Sequence, residues 1–155
     1  MPYAELLCLS CYSFLRGASH PQELVLRAAE LGYNAIAITD ECSLAGIVKA
    51  HVAARECGIQ LIVGSEFHLE EGLRLVALAP SRAAYSELSG LISLARRRSP
   101  KGEYRATLRD VIFHLKRCLL VWLPTDDGDD ARAYGLQLAR RRRDRVWLGV
   151  SQRLG

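Results

Sequence analysis

Short apolar runs of strand length, separated by segments of helical period, constrain this chain more than any other feature. Ala4 to Leu9 is nearly continuously apolar and too short for a helix, so it reads as a strand buried on both faces. A glycine-containing break, Arg16-Gly17-Ala18-Ser19, follows. Ser19 with Gln22 forms a capping-box pattern, and Pro21 suits a first helical turn. Leu24, Ala28 and Leu31 then recur at helical spacing, and Gly32 ends the helix. Ala35 to Thr39 is a second buried strand, closed by Asp40-Glu41. A helix is expected from about Ser43 to Cys57, with Leu44, Ile47, Val48 and Val52 on one face and Gly58 as its stop.

Leu61-Ile62-Val63 reads as a third strand, closed by Gly64-Ser65-Glu66. Phe67 to Glu70 and Leu73 to Ala79 have the pattern of a hairpin turning at Glu71-Gly72. Ser81 caps a helix running to about Arg97, Ser99 to Arg105 is a loop, and Thr107 with Asp110 opens a short helix. Cys118 to Leu123 is a strand, a helix follows from about Asp129 to Arg142, and Arg145 to Ser151 is a last strand. Alternation of this kind means an α/β fold with a largely parallel sheet or a partial barrel. Chemistry in such folds gathers at the carboxyl ends of strands, which singles out Ser10 to Ser13, Asp40-Glu41 and Gly64-Ser65-Glu66. The last strand has no helix after it to cover it, so its edge is expected to pair with another chain or a second copy.

At 155 residues, half of them hydrophobic and a quarter charged, one domain spanning residues 1–155 is expected rather than a disordered chain. No apolar stretch reaches membrane-spanning length, and the N-terminus lacks the charge and apolar run of a signal peptide. Five cysteines at irregular spacing suggest reduced thiols that pack, and the cytoplasm as compartment. Cys8 and Cys11 form a C-x-x-C inside a strand-like run, which favours packing over zinc or redox use. Asp126-Asp127-Gly128-Asp129-Asp130 lacks the closing glutamate of a calcium loop and suits a helix N-terminus.

Charge divides the chain. Residues 1–95 carry six Lys/Arg against ten Asp/Glu, and residues 96–155 carry fifteen against seven. Arg96, Arg97 and Arg98, and Arg140, Arg141, Arg142 and Arg143, are candidates for sequence-blind contact with nucleic-acid phosphates. Both runs also close predicted helices, where the dipole favours cations, and that reading weighs more. His20 at a helix entry, His51 within a helix and His114 beside Lys116 and Arg117 fit local or surface roles. His68 lies two residues beyond Glu66, on the same face of a strand.

Three ordered segments then carry a resemblance. Tyr3-Ala4-Glu5-Leu6-Leu7-Cys8-Leu9-Ser10-Cys11-Tyr12-Ser13-Phe14-Leu15-Arg16-Gly17-Ala18-Ser19-His20-Pro21 is similar to the opening of the PHP (polymerase and histidinol phosphatase) domain. The form it resembles stands at the N-terminus of bacterial error-prone DNA polymerases, relatives of the polymerase III alpha subunit. Leu31-Gly32-Tyr33, Ala37 to Gly46 and Gly58 to Glu66 continue the match in order, densely over about the first 80 residues. The resemblance implies a (βα)7-type barrel with a mostly parallel sheet, here ending after about the fifth barrel strand as one incomplete domain.

Active members of the family are phosphoesterases that hold divalent metals at the strand ends. The family's H-x-H motif falls on Leu7-Cys8-Leu9, which cannot ligate through either leucine. Its Asp-His motif is Asp40-Glu41 here, and its Gly-x-Glu motif is intact as Gly64-Ser65-Glu66. Asp40, Glu41, Glu66 and His68 are thus the candidate remnant of a metal site. Three carboxylates would favour magnesium or manganese, weakly, and the competing expectation is a polar cluster that needs no cofactor. The resemblance therefore implies a non-catalytic structural module of a translesion polymerase, with the rest of the polymerase chain, and DNA through it, as partners. The alternative is a residual metal-dependent phosphoesterase or 3′-5′ exonuclease, and a third reading is an arginine-rich nucleic-acid binder.

Overall fold

The computed structural model describes residues 3–124 and 129–150. Six strands form one curled sheet in chain order: β1 (Ala4–Cys8), β2 (Ala35–Ile38), β3 (Gln60–His68), β4 (Arg74–Ala79), β5 (Leu119–Leu123) and β6 (Val146–Leu148). Between them lie α1 (Pro21–Glu30), α2 (Ile47–Cys57), α3 (Arg82–Arg97), α4 (Leu108–His114) and α5 (Asp129–Arg141). β1–β2, β2–β3 and β5–β6 pair in parallel, while β3–β4 and β4–β5 are antiparallel. The expected α/β half-barrel is present, with three of its five pairings parallel.

Side chains alternate across the sheet as period two requires. Ile36, Ile38, Leu61 and Val63 pack with Val25 and Ala28 of α1 and with Ile47, Ala50, Ala53 and Ala54 of α2. Phe67, Leu75, Ala77 and Leu120 pack on the same side with Leu88 and Leu91 of α3, Val111 of α4 and Leu138 of α5. The opposite face holds Ala37, Val76 and Leu78, with Leu7, Ile62, Leu119, Val121 and Leu123 against them. Toward one end of that face the apolar row gives way to Glu66, His68 and Arg74.

Four local expectations change. The run Leu61 to Val63 and the first hairpin strand are one strand, β3, which passes straight through Gly64. A Cβ at Gly64 would lie 2.8 Å from Leu78 Cδ2 and 2.9 Å from both Ala77 O and Thr39 Cγ2. The glycine there serves close strand packing, not a turn. Second, the cap of α1 is His20, whose backbone N–H donates to Glu23 at 2.7 Å, in place of the Ser19–Gln22 pattern. Third, α2 begins at Ile47, not Ser43, and buries Ile47, Ala50, Ala53 and Ala54. Val48 and Val52 face solvent, because small alanines let α2 lie close to α1 and the sheet. Fourth, Leu31 lies beyond the end of α1 and is exposed, and Val25 takes its expected place in the core.

The Ser81 and Thr107 caps form as expected, the latter with Asp110 in reciprocal bonds. His51 and His114 are exposed. Asp126 to Gly128 of the acidic run, and Ser151 of the expected last strand, lie outside the described residues. Among the described residues no helix is long and apolar enough to cross a membrane.

Candidate functional site

β1 ends beside β2, and the loop after it turns back over the strand ends. Gly17 makes that turn tight: a Cβ there would fall 2.0 Å from the Ser10 carbonyl oxygen. The loop brings Ser10 and Ser13 onto Asp40, which is buried directly after β2. Asp40 accepts from Ser10 N–H at 2.7 Å, Ser10 Oγ at 2.6 Å and Ser13 Oγ at 2.6 Å. Ser13 Oγ in turn accepts from the Glu41 N–H at 3.0 Å. The Asp40 carboxylate is thus satisfied by one backbone and two hydroxyl donors, which removes the usual penalty for burying it.

Glu41 bridges to Glu66 through the backbone at the end of β2, which brings their side chains to one place. Glu66 is fully buried on β3, with His68 two residues on and Arg74 opposite His68 in the β3–β4 register. Arg74 Nε donates to Glu66 Oε1 at 2.6 Å, and His68 Nε2 lies 2.7 Å from the same oxygen. A contact that short requires the proton on Nε2, since two lone pairs would repel. Arg16 completes the group, reaching Glu41 Oε2 at 2.7 Å through Nη1 and Glu66 Oε1 and Oε2 at 3.1 and 3.3 Å through Nη2.

Burial pushes the Glu66 pKa up. Hydrogen bonds from His68 and Arg74, and the charges of Arg74 and Arg16, outweigh that and hold it at about 2. Burial likewise raises Glu41, but hydrogen bonds from Arg16 and Tyr104 with the charges of His68 and Arg16 bring it below its ordinary value. The phenol of Tyr104 donates to Glu41 Oε1 at 2.8 Å and accepts from the His68 N–H at 2.8 Å. Burial, first, and that bond to a carboxylate raise its own pKa well above the ordinary range.

Asp40, Glu41, Glu66 and His68 do converge on one end of the sheet, but each carboxylate is engaged by this chain's own donors, and His68 is one of those donors. Among the described residues no three His, Cys, Asp or Glu side chains are arranged to hold a metal ion. A divalent cation needs free oxygens at short range, and a guanidinium lies between two of the carboxylates. As they stand, these residues do not fit the metal that the motif pattern implies. Leu7 adds to the mismatch, since it packs into the apolar face with Val76 and Leu78.

The arginine runs divide in the same way. Arg96 stacks on the Tyr104 ring at 5.2 Å and donates to the carbonyls of Cys42 and Glu41, so it supports the site from beneath. Arg98 pairs with Asp110 at 2.8 Å. Arg142 donates to the carbonyls of Lys116, Ile112 and Leu115 around the end of α4. Arg97, Arg140, Arg141 and Arg143 are exposed. Ser10 and Ser13 lie in a segment that the strand-end rule singles out, whereas Arg16, Arg74 and Tyr104 are site residues that the sequence reading does not name. Of these three, Arg74 carries a readable signal, its place across the Glu71-Gly72 turn from His68.

A family model described as PHP domain matches residues 5–138. An error-prone DNA polymerase of Teredinibacter turnerae is 57% identical over 99% of the chain, and one of Pseudomonas aeruginosa is 53% identical over 99%. The chain spans 15% and 14% of the length of these two relatives. Among solved structures, an amidohydrolase from Chromobacterium violaceum superposes with a TM-score of 0.66 at 16% identity, over 94% of this chain and 84% of that one. A candidate metal-dependent phosphoesterase from Bifidobacterium adolescentis gives 0.63 at 16% identity, over 94% and 86%. These two likenesses concern the fold alone.

Proposed function

The chain belongs to the PHP domain family, and on that footing we propose that it acts as the non-catalytic N-terminal module of an error-prone DNA polymerase. One observation carries the non-catalytic part: the carboxylates that would ligate metal are held by Ser10, Ser13, Arg16, Arg74, His68 and Tyr104. A metal-bound water is what makes a phosphoesterase nucleophile at neutral pH, and a site closed in this way has no oxygen to offer such a metal. The relatives that support the polymerase part extend far beyond the length of this chain. In this reading the module packs against the rest of the polymerase and supports its folding. DNA is reached through the parent chain during damage-tolerant synthesis in the cytoplasm. The exposed arginines are solvated helix ends and no cofactor is required.

The test is the mass of the polypeptide in its own cells, detected with an antibody raised against this region. The proposal expects a band far larger than 17.2 kDa. A band at 17.2 kDa alone would remove the polymerase from the account.

A further inference from the structure

The loop between β1 and α1 is held in an unfavourable shape. Leu15 has φ of 62°, in the left-handed region that leucine avoids, and it is 91% exposed beside Phe14 at 85%. No burial of Leu15 or Phe14 compensates for that conformation. What the loop does make is a turn closed by the Arg16 and Gly17 N–H groups on the Ser13 carbonyl, and the reach of Arg16 into the strand ends.

The surroundings of that guanidinium are anionic. Nη1 lies 2.7 Å from Glu41 Oε2 and 3.3 Å from His68 Nε2, and Nη2 lies 3.1 Å from Glu66 Oε1. The carboxylates of Glu66 on β3 and Glu41 just past β2 flank this positive charge, while the Nε2–H of His68 is turned to Glu66 Oε1. Carboxylate oxygens freed of the guanidinium are hard donors that suit magnesium or manganese. The planar fork of arginine spans both carboxylates at once, which a compact ammonium cannot do.

We propose that Arg16 is a resident counter-cation, whose guanidinium takes the position of a metal between Glu41 and Glu66, ties the β1 loop to the ends of β2 and β3, and keeps divalent ions out. This concerns the chain by itself and stands whether or not the chain supports a polymerase.

The experiment compares the melting temperature of the 155-residue chain, Arg16→Ala and Arg16→Lys, each with and without manganese chloride. Arg16→Ala is expected to melt about 6 °C lower than the parent, because a buried carboxylate loses one of its counter-charges while Arg74 remains. Manganese at about 1 mM is expected to recover about half of that fall in Arg16→Ala, since an ion that binds only the native state must stabilise it. The parent chain is expected not to respond. Arg16→Lys, which keeps the charge without the fork, should melt between the two and stay insensitive to manganese. If Arg16→Ala does not fold, Arg16→Lys decides: a fall without a manganese response supports the proposal, and any other behaviour overturns it. A parent chain that manganese stabilises overturns it. So does an Arg16→Ala chain that melts like the parent, or one that melts lower and ignores manganese.

Discussion

Replacing Glu66 by glutamine keeps the size of a fully buried side chain and removes its charge. Glutamine imitates the protonated carboxyl, so the comparison reads the difference between the two charge states of Glu66. Its pKa is lowered from 4.5 to about 2 in the folded chain by the His68 and Arg74 hydrogen bonds and the Arg charges, after burial has worked the other way. At about 1.4 kcal/mol per pKa unit, the charged form adds on the order of 3 kcal/mol to stability at neutral pH. For a chain of this size that is about 9 °C in melting temperature. A depressed pKa sets the sign: the contribution is complete above the unfolded value near 4.5 and is lost as pH falls toward about 2. Melting curves of the parent and Glu66→Gln, followed by circular dichroism from neutral pH to about pH 2, should therefore lie apart at pH 7 and converge in acid. Two curves that run parallel across the whole range, or that coincide at pH 7, would refute the reasoning.

Gly17→Ala places a Cβ 2.0 Å from the Ser10 carbonyl oxygen, so the β1 loop must shift. Its melting temperature should fall by the equivalent of about 1–3 kcal/mol, and equal stability would show that the loop yields freely. Tyr104→Phe leaves Glu41 Oε1 and the His68 N–H without their shared partner, and chemical denaturation should show a loss of about 1–3 kcal/mol with an unchanged m-value. Arg142→Ala removes three carbonyl contacts around the end of α4, whereas Arg143→Ala removes an exposed side chain. Thermal melts should show a loss of about 1–2 kcal/mol for the first and within about 0.5 kcal/mol for the second. The reverse order would count against a structural use of that run.

Much of the fold was legible because strand period and chain punctuation are local signals. The strands at Ala35 and Cys118, the hairpin at Glu71-Gly72 and the Ser81 and Thr107 caps follow from residues a few positions apart. Gly64 misled because a glycine inside a strand and a glycine ending one look alike; only Thr39, just past β2, and Ala77 and Leu78 of β4 distinguish them. Val48 and Val52 misled because helix period identifies a face but not which of two apolar faces meets the core. At the site, Asp40, Glu41 and Glu66 were readable from the strand-end rule, and His68 from strand period, two residues beyond Glu66 on one face. Their partners were not, because Arg16 stands in an irregular loop 50 residues before Glu66 and Tyr104 in another, 63 residues after Glu41. Those long-range partners decide whether the carboxylates are free to hold metal.

The central claim is that this constellation is closed by its own side chains. It is tested most directly by equilibrating the purified chain with manganese and zinc, removing unbound ions, and measuring metal per chain together with hydrolysis of a simple phosphate ester. The account predicts far less than one ion per chain and no turnover above buffer. A full equivalent of bound metal, with turnover abolished by Glu66→Ala, would contradict it.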